Sequence, residues 1–152
     1  MGLFFFFLRF ILFRSPRRDA GMVYDRLQGK VYIFGGRAKE VAMNDIWEFK
    51  VSTRTWKELG RDSILKPEPR HSMIAGFDEN KNRVLIAMGK GNEGIFNDIW
   101  EFSLETQQWR LINITGSRPE PRFSPGGGIF YGPEARYLYL THGCASNSRY
   151  LD

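Results

Sequence analysis

The hexapeptide NDIWEF stands at residues 44–49 and returns, letter for letter, at 97–102, 53 positions later. Nine residues after the Trp of each copy comes another Trp: Trp47 then Trp56, Trp100 then Trp109. These are all four tryptophans of the chain. A repeat of this kind constrains the fold more than composition can. It implies like supersecondary units, each burying its apolar surface against the next.

The repeat extends well beyond the hexapeptide. At the same offset Lys30 aligns with Arg83 and Arg136, each just ahead of an apolar run: VYIFGG (31–36), VLIAMG (84–89) and YLYLTHG (137–143). Before these runs stand SPRR (15–18), PEPRHS (67–72) and PEPRFS (119–124). The third copy stops at SNSRYLD, where another NDIWEF is due. Units are therefore expected at 15–66, 67–118 and, in part, 119–152, after an apolar segment at 1–14.

One unit has four short strands. MIAGF (73–77) is small and apolar, and DENKN (78–82) is a polar turn. RVLIAMG (83–89) is nearly continuous in apolar residues, the pattern of a strand buried on both faces. GKGNEGIFN (89–97) is a Gly/Asn loop, DIWEF a third strand and QWRLI (108–112) a fourth. No helical periodicity of useful length follows residue 15. Four strands in a unit of about 50 residues is the arithmetic of a propeller blade.

Residues 15–143 resemble kelch repeats of the longer kind, on the strength of the P-x-P-R lead-in, the glycine pair, the N-D-hydrophobic-W element and the late Trp. The expected fold is all-β: an incomplete β-propeller of four-stranded antiparallel kelch blades. The glycine doublet is intact only at Gly35-Gly36, becoming Met88-Gly89 and His142-Gly143. Propellers close with about four to eight blades. Two and a half repeats then imply a piece of a larger propeller, or a chain completed by self-association or by further blades.

Repeated residues point first to the scaffold. The four tryptophans are expected in the core or between blades, where each removes about 150–250 Å² from water. Asn44-Asp45 and Asn97-Asp98 are expected to close the turns ahead of their strands through nearby backbone N–H groups. Arg17, Arg70 and Arg122 have two readings: a planar donor fork tying one connector to the neighbouring blade, or a ring of guanidinium groups offered to a partner.

Loops that do not repeat are the better place for function. In a four-strand meander the second-to-third-strand loops and the blade connectors emerge on one face. That face would carry Arg37, Lys39 and Glu40 from the first unit, and Lys90, Asn92, Glu93 and Phe96 from the second. Connector residues Arg61, Asp62, Lys66 and Arg118 would join them. The resemblance to kelch proteins implies that this face, with Arg70 and Arg122 as further candidates, binds a protein or peptide partner.

Enzyme chemistry has little to build on. Kelch blades also occur in galactose oxidase, a copper enzyme whose site needs several converging imidazole and phenolate ligands and a cysteine crosslinked to tyrosine. This chain has two histidines, His71 and His142, and one cysteine, Cys144. Such a site usually wants more nitrogen donors. No nucleophile elbow, P-loop or H-E-x-x-H is present. No catalytic residue, metal or cofactor is expected.

A net charge of +5 points toward nucleic acid only until its placement is read: residues 1–18 alone hold Arg9, Arg14, Arg17 and Arg18 and no acid. The rest balances 18 basic against 17 acidic residues, too even for a phosphate-binding footprint. One cysteine makes no intrachain disulfide, which suits a reducing, cytoplasmic setting. LFFFFLRFILF (3–13) is interrupted by Arg9 and would span about 17 Å as a helix, short of a bilayer of about 30 Å. Its charges follow the apolar core rather than preceding it, unlike a signal peptide. A secretory or membrane-associated role through residues 1–14 is the alternative to the cytoplasm.

The function expected is a non-catalytic protein–protein interaction module, a scaffold or adaptor. The alternatives are a galactose oxidase-like enzyme fragment and a truncated product without activity of its own.

Overall fold

The computed structural model describes residues 16–131, 136–146 and 149–151. The Phe-rich segment 3–13, and with it the membrane and targeting readings, lies outside them. Among the described residues all regular structure is strand.

The first blade is a meander of β1 (Gly21–Asp25), β2 (Lys30–Phe34), β5 (Ile46–Lys50) and β6 (Thr55–Leu59), antiparallel and in that order. Between its second and third strands sits a small hairpin, β3 (Arg37–Ala38) with β4 (Val41–Ala42). The second blade repeats the meander with β7 (Ile74–Asp78), β8 (Arg83–Ala87), β9 (Ile99–Ser103) and β10 (Gln108–Leu111). The third contributes the pair β11 (Gly126–Tyr131) and β12 (Arg136–Thr141). A hairpin, β13 (Gly143–Ser146) with β14 (Arg149–Leu151), follows. It holds the place of β3 and β4, so the final RYL continues a loop hairpin instead of starting a third blade strand.

Register repeats as closely as sequence. Phe49 lies opposite Trp56 as Phe102 lies opposite Trp109. The apolar run of the second unit forms β8, whose five residues are all buried. Blades stand face to face, with β1, β7 and β11 side by side on the inside. Backbone bonds stitch that inner edge: Ser72 N–H donates to Asp19 O and Ser124 N–H to Ser72 O, each at 2.8 Å.

Trp109 shows what holds two blades together. It is 3% exposed, with its ring 5.0 Å from Phe102 of its own blade and 4.9 Å from Phe34 of the first. Val23, Tyr32 and Leu59 from one blade and Val84 and Ile86 from the other complete this core. At about 25 cal/mol per Å², one buried Trp contributes up to about 4–6 kcal/mol.

The opposite face of the second blade carries a row of charges that the sequence reading passed over. Arg83 bonds Asp78 at 3.0 Å and also pairs with Glu101, which accepts from Arg110 at 2.6 Å. Asp78, Arg83 and Glu101 are buried. Charges so placed are tolerable only because each is answered by its neighbour.

The altered glycine doublets do not change the backbone. Gly35, Met88 and His142 all adopt positive φ, at 59°, 66° and 26°. The second position is the demanding one. A Cβ on Gly89 would stand 2.9 Å from His71 O, and one on Gly36 would stand 2.9 Å from Arg18 O. Only glycine lets the strand end come that close.

Candidate partner-binding face

The proline–arginine lead-ins and the loops after the second strands meet at one end of the blades. Each lead-in bridges to the residue beyond a glycine position: Arg18 with Arg37, His71 with Lys90, Phe123 with Cys144. The sequence placed these segments on a common face, and the geometry brings them there.

The arginines of the lead-ins point inward. Arg17 donates to Asp45 Oδ1 and Oδ2 at 2.7 and 2.8 Å, and to Gly35 O at 2.9 Å. Arg70 repeats this, with two bonds to Asp98 and one of 3.2 Å to Met88 O. The same aspartates take the indole N–H of Trp47 at 2.6 Å and of Trp100 at 2.7 Å. Asp98 is pushed up by burial, but the Arg70 and Trp100 bonds outweigh this and hold it below the usual carboxylate range; Asp45 is held low in the same way by Arg17 and Trp47.

Two expectations are thereby corrected. Arg70 is fully buried, with its guanidinium against Asp98 and 4.1 Å from the Phe96 ring centroid, so it presents nothing to a partner. Its fork ties the lead-in to its own blade, not to the neighbour. The Asn-Asp pairs reach further than a local turn. Asn44 Nδ2 donates to Pro67 O at 3.2 Å and Asn97 Nδ2 to Pro119 O at 3.1 Å, each fastening the next lead-in. Both carboxylate oxygens of each aspartate are taken by an arginine fork. Arg122 is half-buried, and donates to Glu120 O and His142 O at 3.2 Å.

Around these anchors the remaining candidates divide. Arg37 bonds Asp19 at 3.0 Å and lies 3.7 Å from Glu40, which also takes Arg18 at 3.2 Å. Lys39, at the hairpin tip with φ of 54°, is exposed. Lys90 Nζ stands 5.1 Å from the Phe123 ring centroid. Beneath them His71 is buried and bonds Ser72 Oγ at 2.9 Å. Burial, followed by the Arg37 charge, holds it below the ordinary histidine range, so it is neutral at pH 7.

The second-blade loop builds a cavity. Gly91 N–H bonds Gly94 O at 2.8 Å and Phe96 N–H bonds Gly89 O at 2.9 Å, leaving Asn92 and Glu93 at the tip. Asn92 Oδ1 accepts Ala42 N–H of the first blade at 3.3 Å, which spans the two loops. Asn92, Glu93 and Phe96 then line a half-open cavity of about 470 Å³ together with Glu68 and Pro69 of the lead-in. Glu68 and Pro69 were missed because a repeated lead-in reads as scaffold.

Arg61 and Asp62 lie elsewhere, lining a cavity of about 650 Å³ with Trp47, Trp56 and the turn ahead of β10. His71 and His142 belong to different blades, and among the described residues no three metal-ligating side chains converge.

The family model for the KLHDC2/KLHL20/DRC7 Kelch-repeats domain matches residues 13–152. Among curated proteins, the flagellar outer-arm dynein alpha chain of Chlamydomonas reinhardtii is 30% identical over 115 residues, which is 71% of this chain and 2% of that one. Human Kelch domain-containing protein 10 is 32% identical over 99 residues, covering 60% of this chain and 21% of its own length. Acyl-CoA-binding domain-containing protein 5 of Arabidopsis thaliana is 31% identical over 115 residues, 75% of this chain and 17% of its own. The chain thus spans under a quarter of each of these relatives.

Proposed function

The chain belongs to the kelch-repeat family, and on that premise we propose that it is a non-catalytic interaction module binding a protein or peptide partner on its loop face. Kelch repeats are in general protein-interaction modules. The observation that carries the reading is the cavity between the second-blade loop and the PEPR lead-in. Its walls are pinned by scaffold bonds, while Asn92 and Glu93 of its lining, and Lys39 and Glu40 at the matching loop tip of the first blade, are exposed. Rigid support beneath exposed polar tips is what a recognition surface requires. Two complete sheets and part of a third do not close a ring. Within this reading, further blades or further copies complete the propeller.

The test is selection of displayed random peptides on the full chain. Binders should lose affinity for a Lys39→Glu/Glu93→Lys variant and keep it for Gln28→Lys/Glu105→Lys, altered on exposed turns between strands. Failure to select any binder, or binders indifferent to the loop-tip pair, would overturn the reading.

A further inference from the structure

We propose that the cavity between the second-blade loop and its lead-in receives an arginine side chain of the partner. This rests on the reading above and specifies the chemistry of the ligand.

The cavity has two carboxylates and no cation in its lining, which is Glu68, Pro69, Asn92, Glu93 and Phe96. The acids differ from others nearby. Asp19 and Glu40 are paired with Arg37 and Arg18, and Asp98 with Arg70. Glu68 and Glu93 are exposed, and neither side chain has a hydrogen bond or ion pair among the described residues. The Arg70 guanidinium, 4.1 Å from the Phe96 ring centroid, has its charge answered by Asp98.

Two unpaired acids alone would be a solvated surface. Here they flank a half-open cleft with an apolar wall. Phe96 and Pro69 can cover the methylene stem of a long side chain while the carboxylates meet its head. Arginine suits this better than lysine, because a planar fork can bond two carboxylates at once and lie against an aromatic ring. About 470 Å³ exceeds one side chain, leaving room for the flanking peptide.

The cavity is also prepared before binding. Gly91 leaves no room for a Cβ, which would stand 2.5 Å from Pro69 O and 2.9 Å from Phe96, so loop and lead-in are in close contact. Asn92 is held from the first blade by Ala42 N–H. Little ordering is left for the ligand to impose.

The experiment is an ¹⁵N–¹H NMR titration of the full chain with acetyl-Gly-Gly-Arg-Gly-Gly-amide. Its citrulline counterpart, equal in shape and uncharged, is the control. Saturable shifts are expected at the amides of Glu68, Asn92, Glu93 and Phe96, with a dissociation constant of about 1 mM for so small a ligand. The citrulline peptide should bind at least about tenfold more weakly, and Glu68→Gln/Glu93→Gln should weaken the arginine peptide by about tenfold. Both substitutions are at exposed positions, and an unchanged spectrum elsewhere verifies the fold. Equal binding of the two peptides, shifts centred elsewhere, or indifference to the double substitution overturns the inference. Peptides that depend on the loop tips but contain no arginine would also overturn it, while leaving the proposed function standing.

Discussion

Replacing Asp98 by asparagine removes the counter-charge of a guanidinium that water cannot reach. The Arg70 side chain is fully buried and that of Asp98 is 23% exposed. The other contacts shown for Arg70 are the carbonyls of Glu68 and Met88 and the Phe96 ring, none of them an anion. Removing one partner of a buried pair costs about 3–5 kcal/mol. Water at the exposed side of Asp98 relieves part of this, which puts the expected loss at about 3 kcal/mol. The Trp100 N–H keeps an acceptor in the asparagine amide and adds little. With a urea slope of about 2 kcal/mol per M, the unfolding midpoint of the full chain should fall by about 1.5 M. Glu40→Gln is the control: Arg18 and Glu40 are 57% and 81% exposed, and such pairs contribute only about 0–1 kcal/mol. Removing both charges with Arg70→Met/Asp98→Leu should cost less than the two single substitutions summed, by about 2 kcal/mol. Tryptophan fluorescence and circular dichroism during urea titration measure all of these. An Asp98→Asn midpoint no lower than that of Glu40→Gln, or strict additivity in the cycle, would refute the reasoning.

The remaining expectations use the same titration. Gly89→Ala, at φ of 102° and against His71 O, should cost at least about 2 kcal/mol, whereas Gly29→Ala, at φ of 61° with open space around it, should cost about 1 kcal/mol. Trp109→Ala opens the contact between blades and should lose about 3–5 kcal/mol, with the fluorescence of the remaining tryptophans reporting one transition or two. Asp45 and Asp98 have folded pKa values below their unfolded ones, so their stabilisation is complete above the unfolded value of about 4 and is lost as pH falls through the folded values. A urea midpoint that falls steeply below about pH 4, and less steeply in Asp98→Asn, is the expected profile. His71 is depressed too, so its share is present above an unfolded value of about 6.5 and is lost as pH drops through the folded one; in His71→Gln that slope should disappear.

What the sequence made legible is whatever a period can carry. Strand positions and the burial of β8 follow from apolar residues a fixed distance apart, a local property of the chain, whereas the pairing of Phe with the late Trp emerged only in the register. The hairpin of β3 and β4 escaped because two-residue strands are too short to show alternation. Asn44 and Asn97 were assigned to their own turns because a short amide usually finds a backbone partner nearby. Their bonds to Pro67 and Pro119 cross 23 and 22 residues, a distance that no local rule reaches. The candidate site divides along the same line. Asn92 and Phe96 stood out because the first unit has Lys39 and Met43 in their places, Glu93 came with them although it matches Glu40, and Glu68 was passed over because PEPR recurs. Yet a repeated motif does not assign one role to all its letters. Proline on either side keeps Glu68 out of a ladder, so its side chain stays in solvent, while Arg70 two residues later is drawn inward to a carboxylate its own blade supplies. The same four residues anchor the blade and furnish the rim of the cavity. Recurrence therefore marks which segment is scaffold, and only the partner each side chain finds decides which letters remain available for recognition.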